Sequence, residues 1–162
     1  MEKKLKIYIA GPDVFEKDSI EIGKKYCEFC SIYGHEGLYP LDNIVDFNQA
    51  KQKIAQDIYL ANKKLIDECD IVIANINSFR GKEADSGTIW ECGYATGLGK
   101  KVYGYMDSSL SYIERFSEEE KEKENRDIED FDYPINLMIA CSVEKIIVGG
   151  FEDVLKDIKV SQ

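Results

Sequence analysis

Short β-branched runs alternate with stretches of helical periodicity from one end of the chain to the other, and this alternation restricts the fold more than any other feature. Strand-sized runs stand at Lys6–Ala10, Gly37–Pro40, Asp70–Asn75, Val102–Met106 and Lys145–Val148. Helical patterns fill the intervals, at about 19–33, about 50–68, within 84–100 and at 151–158. Strands separated by helix-length segments pair in parallel through crossover helices rather than as hairpins. Ile71, Val72 and Ile73 are apolar at successive positions, as in a strand covered on both faces.

The expected fold is an α/β three-layer sandwich built on a doubly wound, five-stranded parallel sheet of flavodoxin-like (Rossmann-like) type. With 162 residues, 44% of them hydrophobic, the chain suffices for one compact core and is too short for two ordinary ones. Residues 1–162 are therefore expected to form a single domain.

In an open parallel sheet, ligands collect beyond the carboxyl ends of the strands. That rule selects Gly11, Pro12 and Asp13 after the first strand and Asp42 and Asn43 after the second. It also selects the run from Phe79 and Arg80 to Gly87 after the third strand, together with the start of the Asn136 segment. Gly11 and Gly81 would let backbone approach a small ligand, and turn-making explains each glycine nearly as well. Tyr8, on the first strand, reads as a core tyrosine or as a site residue.

The stretch ADSGTIWECGYATGLGK, Ala84 to Lys100, places two carboxylates, Asp85 and Glu91, around a turn that opens into a helix. Asp85, Ser86 and Gly87 read as turn and cap residues, and helical spacing from Thr88 puts Glu91 in the first turn, where Thr88 and Glu91 would make a capping box. A carboxylate there also feels the positive helix end, which favours an ionised nucleophile. The two readings are compatible.

Charge and cysteine content narrow the partners. A formal net charge of -10 argues against a nucleic-acid polymer, whose phosphates bind Lys and Arg. No run is long enough to span a membrane, and a cytoplasmic protein is expected. The five cysteines form an odd set, read as reduced thiols. Cys27 and Cys30 form a C-x-x-C without a second pair, and the lone histidine, His35, reads as a solvated loop residue; no metal or cofactor is expected. From Glu114 to Asp132 ten acidic residues face four basic ones, which reads as a solvated loop with a helix around SEEEKEKENR and a capacity to shape a lid.

Four segments in order, KIYIAGPDVF, LYPLDN, FRGKEADSGTIWECGYATGLGK and PINLMIA, together resemble the nucleoside 2-deoxyribosyltransferases over nearly the whole chain. The resemblance implies base exchange on 2'-deoxynucleosides, with small-molecule deoxynucleosides and free nucleobases as partners. In the family, the Glu of D-x-G-x-x-x-E-x-G attacks the anomeric carbon, and Asp85, Gly87, Glu91 and Gly93 hold the matching positions. Glu91 is thereby implied as nucleophile, Tyr8 as the residue orienting it, and Asp85 as the contact to the sugar hydroxyls. Asn136 and Met138 match a segment lent to the neighbouring subunit's site, which implies a homo-oligomer, dimer-based, for which the family suggests a hexamer. Two displacements at one carbon retain stereochemistry.

Two positions depart from the pattern. Asn62 stands eight residues before Asp70, where some members carry an aspartate that contacts the base, and an amide donates no carboxylic proton. The chain ends Lys159-Val160-Ser161-Gln162, without the terminal aromatic residue of some members. The related 2'-deoxynucleoside 5'-monophosphate glycosidases need phosphate donors after the first strand, where this chain has GPDVFEKD with Asp13 and Glu16. A non-catalytic receiver-like or nucleoside-binding module is the rival of another class. A receiver would need an Asp at the end of the third strand, which here ends Ala74-Asn75.

Overall fold

The computed structural model describes residues 3–40 and 45–160. Five strands, β1 (Lys6–Ala10), β2 (Glu36–Leu38), β3 (Ile71–Asn75), β4 (Lys101–Met106) and β5 (Lys145–Val148), form one parallel sheet in the order β2-β1-β3-β4-β5. The connecting helices are α1 (Ser19–Ile32), α2 (Lys51–Glu68), α3 (Ser86–Gly97), α4 (Glu118–Lys123), α5 (Leu137–Ala140) and α6 (Phe151–Val160). The order of the strands reverses between β1 and β3, and a doubly wound sheet opens its ligand crevice at such a point.

Side-chain alternation divides the core into two layers. Tyr8, Ala10, Val72, Ala74, Val102 and Met106 pack with Ile66 of α2 and with Cys92 and Ala95 of α3. Ile7, Ile9, Ile71, Ile73 and Tyr105 pack on the other face with Cys30 of α1 and with Val154, Leu155 and Ile158 of α6. No residue from Ile71 to Ala74 is more than 7% exposed, so β3 has no solvent face. Each of the Ile and Val side chains contributes about 1.5–3 kcal/mol on burial, and a continuous apolar run is what that position demands.

The elements depart from the sequence reading at particular places. The second strand runs from Glu36 to Leu38 rather than from Gly37 to Pro40, and α3 begins at Ser86, ahead of Thr88. His35 is 5% exposed rather than solvated. Its turn folds onto the start of β1, where Nδ1 accepts from the Leu5 N–H at 3.4 Å and the His35 N–H donates to Cys30 O at 2.8 Å.

The acidic segment carries the helix expected around SEEEKEKENR and stays largely exposed. It holds a 3-10 turn, Ile113–Arg115, and then α4, which starts at a capping box made by Ser117 and Glu120. Lys82 and Arg115 tie it to the rest of the fold, with Lys82 Nζ donating to Arg115 O at 2.7 Å. All five cysteines are free thiols. Among the described residues no helix is long and apolar enough to cross a membrane, and no three His, Cys, Asp or Glu side chains are grouped to hold a metal.

Candidate active site

Tyr8 is in the middle of β1, on the face covered by α3, and is fully buried. Its hydroxyl donates to Glu91 Oε1 at 2.8 Å. Burial, with the Glu91 carboxylate beside it, pushes the phenol far above its ordinary ionisation range, so it remains a donor. Glu91 is itself largely desolvated. Burial raises its carboxyl to about 7, the Tyr8 hydrogen bond opposes that rise, and the Asp85 charge adds to it. A partly buried carboxylate held by one strong donor and poised near neutrality can attack an electrophile once it is ionised.

The cap of α3 differs from the Thr88–Glu91 box. Asp85 is the N-cap, and its Oδ2 accepts both the Thr88 N–H and the Thr88 hydroxyl at 2.8 Å. Helix numbering therefore starts at Ser86, which puts Glu91 in the second turn, clear of the free N–H groups at the helix end. Desolvation, not the helix dipole, governs its ionisation. A Cβ at Gly87 would lie 3.2 Å from Asp85 Oδ2, a tight contact that presses on the capping carboxylate. The constraint at Gly11 is stronger: a Cβ would come within 2.6 Å of Asp13 Oδ2 and 2.9 Å of Asn75 Cβ, so one of them would have to move.

Both carboxylates open into a cavity of about 400 Å³. Its apolar lining comes from Val14, Phe15, Pro40, Val45, Phe47 and Ile58, and its polar groups are Asn62, Asp85, Thr88 and Glu91, with Gly11 and Gly87 completing the wall. An apolar enclosure with a few convergent polar groups is the usual form of a small-ligand site. No Lys, Arg or His lines it among the described residues.

The structure thus brings together Glu91, Asp85, Gly11, Asn62 and Gly87 at one cavity, with Tyr8 directly behind Glu91. Phe79 and Arg80 lie one layer out. The Phe79 ring stacks on Phe15 at 5.5 Å, and the Arg80 guanidinium covers both rings. Asn136 and Met138 are elsewhere in the chain's own fold. Asn136 caps α5 and donates to Glu129, and Met138 is 71% exposed. Asp42 and Asn43 lie outside the described residues. Asp13 does not line the cavity; its carboxylate accepts from Asn75 Nδ2 at 3.0 Å and from the Tyr26 hydroxyl at 3.3 Å.

The apolar lining was missed in the sequence. Val14 and Phe15 follow β1 in the quoted KIYIAGPDVF, and Ile58 stands four residues before Asn62 on α2, a spacing that puts both on one helix face. Val45 and Phe47 follow the LYPLDN segment, and nothing in their spacing marks them.

A family model for nucleoside 2-deoxyribosyltransferases matches residues 7–138, which span β1 through the start of α5. The chain belongs to the nucleoside 2-deoxyribosyltransferase family. Among solved structures, this family member is similar to a 2-deoxyribosyltransferase from Leishmania mexicana, with 26% identity and a TM-score of 0.74 over 99% of each chain. A 2-deoxyribosyltransferase from Bacillus psychrosaccharolyticus shares the fold at 23% identity, with a TM-score of 0.61 over 93% of this chain and 90% of that one. An uncharacterised protein of Schizosaccharomyces pombe is 30% identical over 112 residues, 67% of this chain. The chain spans about half, 53%, of that curated relative's length.

Proposed function

We propose that this member of the nucleoside 2-deoxyribosyltransferase family exchanges the base of 2'-deoxyribonucleosides through a covalent deoxyribosyl-Glu91 intermediate. The observation that carries the reading is the 2.8 Å hydrogen bond from the buried Tyr8 hydroxyl to Glu91 at the wall of a cavity that also holds Asp85. In the first step a Glu91 carboxylate oxygen forms a bond to C1', and the C1'–N bond breaks, with its electron pair leaving on the base. In the second step a nitrogen of the incoming base attacks C1', the N–H proton it gives up balances the one taken up by the departed base, and Glu91 leaves as carboxylate, so the configuration is retained. The sugar passes through oxocarbenium-like states, which the Asp85 and Glu91 charges stabilise. A 2'-hydroxyl withdraws electrons and raises that barrier, which favours deoxyribosides.

The apolar lining, with Phe15 and Phe47, suits a flat nucleobase, and Asn62 supplies a neutral hydrogen-bonding partner for its edge. The absence of cations from the described lining favours a neutral nucleoside over a 5'-monophosphate. We further propose that the working unit is a homo-oligomer with a shared site. Large apolar side chains at and beside the cavity, Phe47 at 70% exposed and Trp90 at 46%, together with the exposed Met138, support cover by a second copy.

Incubating the protein with deoxyinosine and a second free base, followed by chromatography, tests the activity. A new deoxynucleoside supports transfer, free base with deoxyribose alone points to hydrolysis, and no turnover refutes the proposal. Glu91→Ala abolishes turnover if Glu91 is the nucleophile. Mixing Glu91→Ala and Asn136→Ala subunits tests the shared site, because a mixed assembly regains one intact site only if Asn136 serves its neighbour.

A further inference from the structure

Between β3 and α3 the chain makes a tight turn that the acidic segment grips. Ser78 Oγ donates to Lys82 O at 3.0 Å and the Phe79 N–H donates to Glu83 O at 2.7 Å. Arg80 takes a φ of 50° and Gly81 a φ of 139°. A long side chain with positive φ is uncommon and persists where the surroundings over-determine it.

Arg115 supplies that constraint. Its Nη1 donates to Ser78 Oγ at 2.9 Å and to Lys82 O at 3.0 Å, and its Nη2 donates to Pro134 O at 2.5 Å. The guanidinium lies over the Tyr112 ring at 5.1 Å. Lys82 returns the contact, its Nζ donating to Arg115 O and, at 3.0 Å, to Glu120 Oε2. Among the described residues Arg115 Nε is buried with no hydrogen-bond partner, so the fork is set by its terminal nitrogens.

We infer that Arg115 is a positioning residue: by bridging Ser78, Lys82 and Pro134, it fixes the loop that ends on Asp85 against the segment that begins at Asn136. The loop leads from Lys82 through Glu83 and Ala84 directly to Asp85, and Pro134 stands two residues before Asn136. A planar fork reaches all three acceptors at once, which the single ammonium of lysine does not. The functional consequence rests on the proposed role of Asp85, and the placement of the loop does not.

The test compares wild type, Arg115→Lys and Arg115→Ala in base exchange, thermal melting and amide hydrogen exchange. A misplacement of about 1 Å at a reacting centre costs on the order of 10²-fold in rate, so Arg115→Ala lowers kcat by up to that factor with a smaller change in KM. The Phe79 and Thr88 N–H groups exchange faster while the melting temperature moves little. Added guanidinium ion restores part of the rate in Arg115→Ala, and an alkylammonium ion does not. Full kcat in Arg115→Lys, or unchanged exchange at Phe79 and Thr88 in Arg115→Ala, overturns the inference. If wild type shows no base exchange, the proposed function fails and the amide-exchange comparison still decides the role of Arg115. Should Arg115→Ala fail to fold, Arg115→Lys and Ser78→Ala carry the same comparison.

Discussion

Replacing Tyr8 by Phe removes one hydroxyl and leaves the buried ring in place, which isolates its hydrogen bond to Glu91. In the free protein, burial and the neighbouring Asp85 charge hold Glu91 near 7 against the opposing pull of Tyr8. A hydrogen bond to a charged group contributes about 1.5–3 kcal/mol, and one pKa unit corresponds to about 1.4 kcal/mol. Loss of the Tyr8 donor therefore raises Glu91 by about one to two units, to roughly 8–9. The nucleophile acts only when ionised, so the acid limb of kcat/KM for the free enzyme moves up by the same amount. At pH 7 the ionised fraction falls from about half to between about 1% and 10%, a loss of roughly five- to fifty-fold. Much of that loss is recovered as the pH approaches the new limb. The assay is base exchange with deoxyinosine across pH 5–10, with circular dichroism confirming the fold at each end. An acid limb at the wild-type pH would refute the reasoning, because Tyr8 would then not be what keeps Glu91 ionisable.

Other perturbations follow from the same geometry. Glu91 is raised on folding from 4.5 to about 7, so the folded state binds more protons between those values and stability falls as the pH rises through that window. The shift corresponds to about 3 kcal/mol; urea unfolding of Glu91→Gln, whose side chain does not ionise, is expected to gain that amount on wild type between pH 4 and pH 8. Gly23→Ala would place a Cβ 2.2 Å from the Tyr39 ring, and overpacking of this kind costs about 1–3 kcal/mol; denaturant unfolding should show that loss with an unchanged m-value. A 5'-phosphate on the deoxynucleoside would bring a dianion toward the two site carboxylates, and like-charge contact costs several kcal/mol. Its kcat/KM is expected to fall on the order of 10²-fold, with the deficit growing at low salt.

The order of strands and helices was legible in the sequence because hydrophobic periodicity is local. KIYIA and KIIV are strands at the bounds their composition sets, and the apolar run Ile71–Ala74 marks the central strand by having no polar face. The strand-end rule, with the ordered family segments, also placed Gly11, Asp85, Gly87 and Glu91 near one crevice. It did so because backbone ends of parallel strands must converge at a switch point.

What the tertiary structure alone decided concerns environment. Glu91 and Tyr8 are far apart in sequence, and only the packing of α3 on β1 makes the hydrogen bond and the desolvation that set the carboxyl near 7. Spacing allowed a Thr88–Glu91 box as well as a cap within Asp85–Gly87, and the folded chain takes Asp85, whose carboxylate accepts the Thr88 N–H and hydroxyl. His35 looked solvated in a glycine-flanked turn and is buried because that turn folds onto Leu5. The helix of the acidic segment was legible from its composition, whereas its anchoring was not, since that comes from contacts between Arg115 and the distant turn that holds Ser78 and Lys82. The sequence determined which surfaces must be covered and where a ligand can enter. Long-range packing determined which charges lose their water, and the chemistry proposed for this site depends on that loss.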